Sequence, residues 1–67
     1  MSVAKTIELS ATSPDSFEDA VQQGIKRAGK TIHGIREAWV KDQKIAVENN
    51  KVIEYRVHML VTFVLDD

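Results

Sequence analysis

The hydrophobic and polar positions divide the chain into four segments with two different periods. From Val52 to Leu65, every second residue is apolar or aromatic: Tyr55, Val57, Met59, Val61, Phe63 and Leu65. A period of two is the mark of a strand with one buried face. The intervening positions, Glu54, Arg56, His58, Leu60, Thr62 and Val64, pass from charged to apolar along the second face. Val3 to Ser10 is a shorter strand in which Ile7 and Leu9 alternate with Thr6 and Glu8. Ile35 to Val47 is a third, with Ala38, Trp39, Val40 and Ile45 as its apolar members. Its alternation falters at Asp42-Gln43-Lys44, where a bulge is expected. Glu48-Asn49-Asn50-Lys51 joins the last two strands, and the Asn pair suits the positive φ of a tight hairpin.

The period changes between the first two strands. Phe17, Ala20, Val21, Gly24, Ile25, Ala28 and Ile32 recur at three- and four-residue offsets, which predicts one apolar stripe along an α-helix. Ser13 is expected to cap it, with Pro14 at the first helical position and Asp15 and Glu18 at the positive end of the dipole. Lys26, Arg27 and Lys30 gather at the other end, and Gly29 or Gly34 is expected to stop the helix. Gly24 costs roughly 1 kcal/mol relative to alanine inside a helix, so its place in the stripe implies close approach to a strand.

The order is β-α-β-β, an α+β domain that occupies residues 1–67 as a single unit. The helix stripe and the Tyr55-to-Leu65 face are mutual partners. The expected core is Phe17, Val21, Ile25, Ala28, Val57, Met59, Val61 and Phe63. One helix cannot cover both faces of a sheet, which leaves Trp39, Leu60, Val64 and Ile45 on an uncovered side. Uncovered apolar surface on so small a domain marks an interface.

Composition narrows the choices. A 67-residue domain is marginal alone unless disulfides, a metal or partner copies add burial. There is no cysteine, and His33 and His58 stand far apart without acidic residues at ligand spacing, so self-association is the expected source. Nine basic and ten acidic residues, with no run of one sign, lack the footprint of a nucleic-acid binder. No segment has the apolar run of a membrane span or a signal peptide, and a cytoplasmic location is the default expectation. No Ser/His/Asp set, glycine-rich phosphate loop or paired carboxylates occurs at suggestive spacing, so no enzyme is expected.

Over nearly all its length the chain resembles the dodecin family. The resemblance is carried by Ile7-Glu8-Leu9, Thr12-Ser13-Pro14-Asp15-Ser16-Phe17, Ile25-Lys26-Arg27-Ala28 and Thr31. It continues through Val40-Lys41-Asp42-Gln43, Tyr55-Arg56-Val57 and Val61-Thr62-Phe63-Val64-Leu65. The resemblance implies a three-stranded antiparallel sheet wrapped around one helix, with about twelve copies closed into a hollow homododecamer. It also implies a storage or sequestration protein that is not an enzyme and that holds flavin (FMN, riboflavin or FAD) at subunit interfaces. Some members are linked to calcium instead, and the alternatives to flavin storage are a cage of the same fold that holds another small molecule or calcium, or a purely structural oligomer.

Two positions depart from that pattern. Where flavin-binding members carry the stacking tryptophan, this chain has Glu37, and Trp39 lies two residues further along. The indole therefore stays on the same face, displaced by roughly 6–7 Å along the strand. The family's ring-binding glutamine is replaced by Arg56. Trp39, Arg56 and Glu37 are the candidate ligand-binding residues, and each has two readings. Trp39 is either a platform for a planar ligand or an anchor against a neighbouring copy. Glu37 and Arg56 either pair across strands or between copies, or Arg56 recognises a ligand's phosphate or carboxylate. Glu48, Asp66 and Asp67 match no calcium-loop spacing and are expected to be solvated.

Overall fold

The computed structural model describes residues 3–65; Asp66 and Asp67 lie outside them. The elements are β1 (Val3–Ser13), α1 (Phe17–Ala28), β2 (Ile35–Glu48) and β3 (Lys51–Leu65). All strand pairs are antiparallel and the order is β1-β3-β2, so the strand with the strongest alternation is central. Val57, Met59 and Val61 of β3 are buried with Ala20 of α1. Ile7, Leu9, Ala11, Phe17, Val21, Ile25 and Ile35 close around them. The Phe17 ring meets Tyr55 edge-on at 5.1 Å.

The first strand and the helix meet differently from the expectation. β1 continues to Ser13, because Ala11 and Ser13 keep the register with Val57 and Tyr55. Ser13 therefore does not cap the helix. It is buried, donates its hydroxyl to Asp19 Oδ2 at 2.6 Å and accepts the Asp15 N–H at 2.9 Å. The cap is Ser16, whose Oγ accepts the Asp19 N–H at 2.9 Å, and Phe17 rather than Pro14 opens the helix. At the other end α1 stops at Ala28 with Gly29 in a right-handed conformation. Ile32 has left the helix, and its N–H closes a turn on the Ala28 carbonyl at 3.0 Å. Among the described residues, positive φ is confined to Gly34 (77°), before β2, and to Asn49 (52°) and Asn50 (62°), the hairpin pair read from the sequence.

Bulges set the faces of β2. The register slips between Ile35 and Glu37, between Val40 and Asp42, and between Ala46 and Val47. The slip at Lys41 reverses the parity of everything after it. Trp39 lies opposite Leu60 on the outer face, away from the helix, yet Ile45 lies opposite Tyr55 on the helix side. Ile45 is therefore not on the uncovered outer face, as strict alternation from Trp39 would place it. The core is also narrower than the sequence implied, because Phe17, Val21, Ile25, Ala28 and Phe63 are only partly buried.

The helix lies over β1 and β3 only. At about 18 Å long it covers a fraction of a strand of about 50 Å. β2 is left exposed along nearly all its length, including Val40 and Ile45 on the helix side. The molecule measures 52 × 20 × 13 Å, with a radius of gyration of 13.8 Å against about 11 Å for a compact domain of this length. Its accessible surface is 5164 Å², against about 4,200 Å² for a compact monomer of this mass.

Gly24 shows the close approach that its place in the stripe implied. A Cβ there would stand 2.8 Å from Met59 Cε, 3.0 Å from Ala11 Cβ and 3.3 Å from Leu9 Cδ1. The Met59 methyl can swing away, but Ala11 Cβ is fixed to the strand. Gly24→Ala should therefore destabilise by about 1–3 kcal/mol despite its better helix propensity. A thermal melt checks this, and a raised midpoint would refute the packing account. Met59→Ala, which empties the centre of the core, should cost about 2–5 kcal/mol on the same assay.

Candidate functional site

Residues opposite one another on antiparallel strands share a face, so the register alone builds the outer surface. Six residues of β1, β3 and β2 define two of its rows. Thr6, Thr62 and Glu37 lie side by side, and Leu60 stands between Glu8 and Trp39 in the next row. Below them come Ser10, His58 and Asp42, then Thr12, Arg56 and Lys44. Each row is about 6–7 Å from the next. Between the apolar Ala4–Val64 row at one end and the Val47–Val52 row at the other, the surface is built of hydroxyls and charges apart from the Leu60–Trp39 row.

The three sequence-predicted residues share this face but do not converge. Glu37 and Trp39 are adjacent and border one hollow of about 500 Å³ with Thr6, Leu60 and Thr62. Trp39 is 65% exposed, which for an indole on a sheet is an unpartnered platform. Arg56 sits six residues down β3 from Thr62, the partner of Glu37, and so about 20 Å away. A Glu37–Arg56 pair across strands of one chain is therefore ruled out. Arg56 instead donates Nε–H to Glu54 Oε2 at 2.7 Å. It borders a second hollow of about 320 Å³ with Ser10, Thr12, Asp42, Lys44 and His58.

One constellation escaped the sequence. His58 Nε2 lies 3.0 Å from Glu8 Oε2, and its Nδ1 lies 3.1 Å from Ser10 Oγ. The three come from two strands some fifty positions apart, and only the β1–β3 register brings them together. The only available signal was that Glu8 and Ser10 share parity with His58's face. The chain of hydroxyl, imidazole and carboxylate resembles a nucleophile and base in outline. Strand amides point in the plane of the sheet, however, so none is directed at an oxyanion above Ser10. It fixes β1 to β3 across the outer face, as Thr6 and Thr62 do through hydroxyls 3.1 Å apart. Among the described residues no three His, Asp or Glu side chains converge as a metal site, and no helix is long and apolar enough to cross a membrane.

Comparison with known proteins agrees with this architecture. The Dodecin family model matches residues 3–66. The chain is 40% identical over 63 residues to calcium dodecin from Mycobacterium tuberculosis, an alignment that covers 94% of this chain and 89% of that protein. A point mutant of the Thermus thermophilus dodecin superposes with a TM-score of 0.95 at 33% identity, with both chains fully covered. The crystal structure of the M. tuberculosis calcium dodecin, described as having a novel calcium-binding site, superposes at 0.83 with 36% identity. That match covers 96% of this chain and 91% of the other. With the fold, the strand order and the family pattern in agreement over almost every residue, the chain belongs to the dodecin family.

Proposed function

We propose that this protein is a homo-oligomeric binding protein that stores or sequesters a planar small ligand, flavin foremost, on the outer face of its sheet. The observation that carries the reading is Trp39: a solvent-exposed indole beside Leu60, bordering a hollow of about 500 Å³ on a face no helix covers. A planar ring placed there gains stacking on the indole and contact with Leu60. The partner copies supply the closure, since an open sheet face buries only one side of such a ligand.

Glu37 weakens the site relative to family members with tryptophan at that position. An ionised carboxylate accepts hydrogen bonds and donates none, and a stacked ring would have to strip its water. Glu37 makes no ion pair among the described residues of one chain, and Arg56 lies about 20 Å away, so a cation from another copy is the source of compensation. Calcium is the second reading, favoured by the 40% identity to a protein named calcium dodecin. Because no carboxylate cluster converges within the described residues of one chain, calcium here requires oxygens from more than one copy.

The long exposed β2 and the excess surface support a closed particle of about twelve chains. Light scattering should return that mass at micromolar concentration, and a folded monomer or simple dimer would overturn it. For the ligand, riboflavin fluorescence should be quenched on titration with the wild-type protein and much less with Trp39→Ala. Glu37→Trp combined with Arg56→Gln should tighten riboflavin binding. Quenching that survives Trp39→Ala unchanged would remove Trp39 as the platform. Calorimetric heat with calcium chloride and none with flavin would favour the second reading.

A further inference from the structure

On the helix side of the sheet, away from Trp39, β1 is an edge strand that α1 covers only in part. Ile7, Leu9 and Ala11 point to the helix side, because their register partners Val61, Met59 and Val57 are core residues. All three are only half-buried. With Ala28 and Ile32 from the end of the helix they line a groove of about 380 Å³, within the size range of small-molecule sites. A second hollow, of about 190 Å³, shares Gln23 and Arg27 with this groove as a common border, and Lys26 and Lys30 complete it.

The smaller hollow concentrates positive charge that the chain does not answer. Lys26, Arg27 and Lys30 are exposed and make no ion pair among the described residues. Three and four positions before Lys26 and Arg27, where a helical carboxylate would pair, stand Gln22, Gln23 and Gly24. Lys26 and Lys30 are themselves four apart, a spacing at which like charges repel. The carboxyl end of the helix dipole offsets only about half a charge. A neighbouring copy is a poor counterpart. The bare apolar stretch of β2 from Val40 to Ile45 carries Lys41 and Lys44 against Asp42 alone, and interface cores are depleted in lysine. We infer that groove and hollow form one site for a single-chain anionic amphiphile. The hydrocarbon tail lies along Ile7, Leu9 and Ile32, and the anionic head sits on Arg27 with Lys26 and Lys30 beside it. The site is on the opposite side of the sheet from Trp39 and does not depend on the ligand proposed there.

The test is calorimetric titration of the assembled wild-type particle with dodecyl phosphate below its micelle concentration, with light scattering on the same samples. About one molecule per chain should bind. Dodecyl maltoside, with the same tail and a neutral head, should bind about 3- to 10-fold more weakly at low ionic strength, the scale of one or two exposed charge contacts. Octyl phosphate should lose about 10-fold or more through its shorter tail. Lys26→Gln combined with Arg27→Gln should bring the two head groups to equal affinity. High salt should do the same in the wild type, which keeps the test valid if the variant fails to assemble. Emission from Trp39, the chain's one tryptophan, should not change on saturation, because the indole is on the other face. Equal affinities for the two heads in the wild type, a preference that survives both the double variant and high salt, or binding that Trp39 emission follows would overturn the assignment. So would dissociation of the particle on titration, or no binding by an intact one, since either means that a neighbouring copy fills the groove. Retention on phosphatidylglycerol vesicles without binding of dodecyl phosphate would overturn it in favour of a bilayer surface.

Discussion

A single short helix against three long strands is the constraint from which the rest of this molecule follows. Twelve residues of helix seal Val57, Met59 and Val61 on the central strand and the nearby part of β1, and little else. That contact is dense enough to require glycine at position 24, where the helix backbone comes down onto Ala11 and Leu9. Everything beyond its reach stays in water: nearly all of β2, the hairpin end with Val47, Val52 and Ile53, and the strand ends Val3 and Leu65. A chain that buries so little of itself must find more apolar contact elsewhere, and identical copies are the available source.

The same shortage leaves one face of the sheet open. Because the helix occupies one side of the sheet, the other is free to carry chemistry. Polar residues dominate its middle, interrupted by the Leu60–Trp39 row. Cross-strand contacts tie β1 to β3 on that surface. The Glu8–His58–Ser10 chain and the Thr6–Thr62 pair brace β1 against β3. The rows of that surface are spaced by the strand repeat rather than by flexible loops.

Much of this was legible in the sequence. The alternation from Tyr55 to Leu65 marked the central strand and its inward face, and Asn49-Asn50 marked the hairpin. Gly24 marked the close approach, and Trp39 marked the uncovered face. What escaped was set by pairing rather than by local pattern. Ser13 has the composition of a cap, but its register with Tyr55 keeps it in β1 and gives the cap to Ser16. Glu37 and Arg56 share a face, yet the offset between β2 and β3 separates them by more than the reach of two side chains. His58 gave no local sign of Glu8 or Ser10, since its partners are fixed by the β1–β3 register.

The bulge at Lys41 has an evolutionary consequence. It works as a phase shifter: upstream of it odd-numbered residues of β2 look outward at Glu37 and Trp39, and downstream even-numbered ones do at Asp42 and Lys44. Two half-strands of opposite parity thus share one surface, and each can drift independently as long as the extra residue between them persists. Gain or loss of one residue at that point would exchange the inward and outward sets of the whole downstream half. A comparison of sequences by identity alone would score such a change as a single gap. The ligand specificity of related chains is therefore better compared by bulge position than by percentage identity.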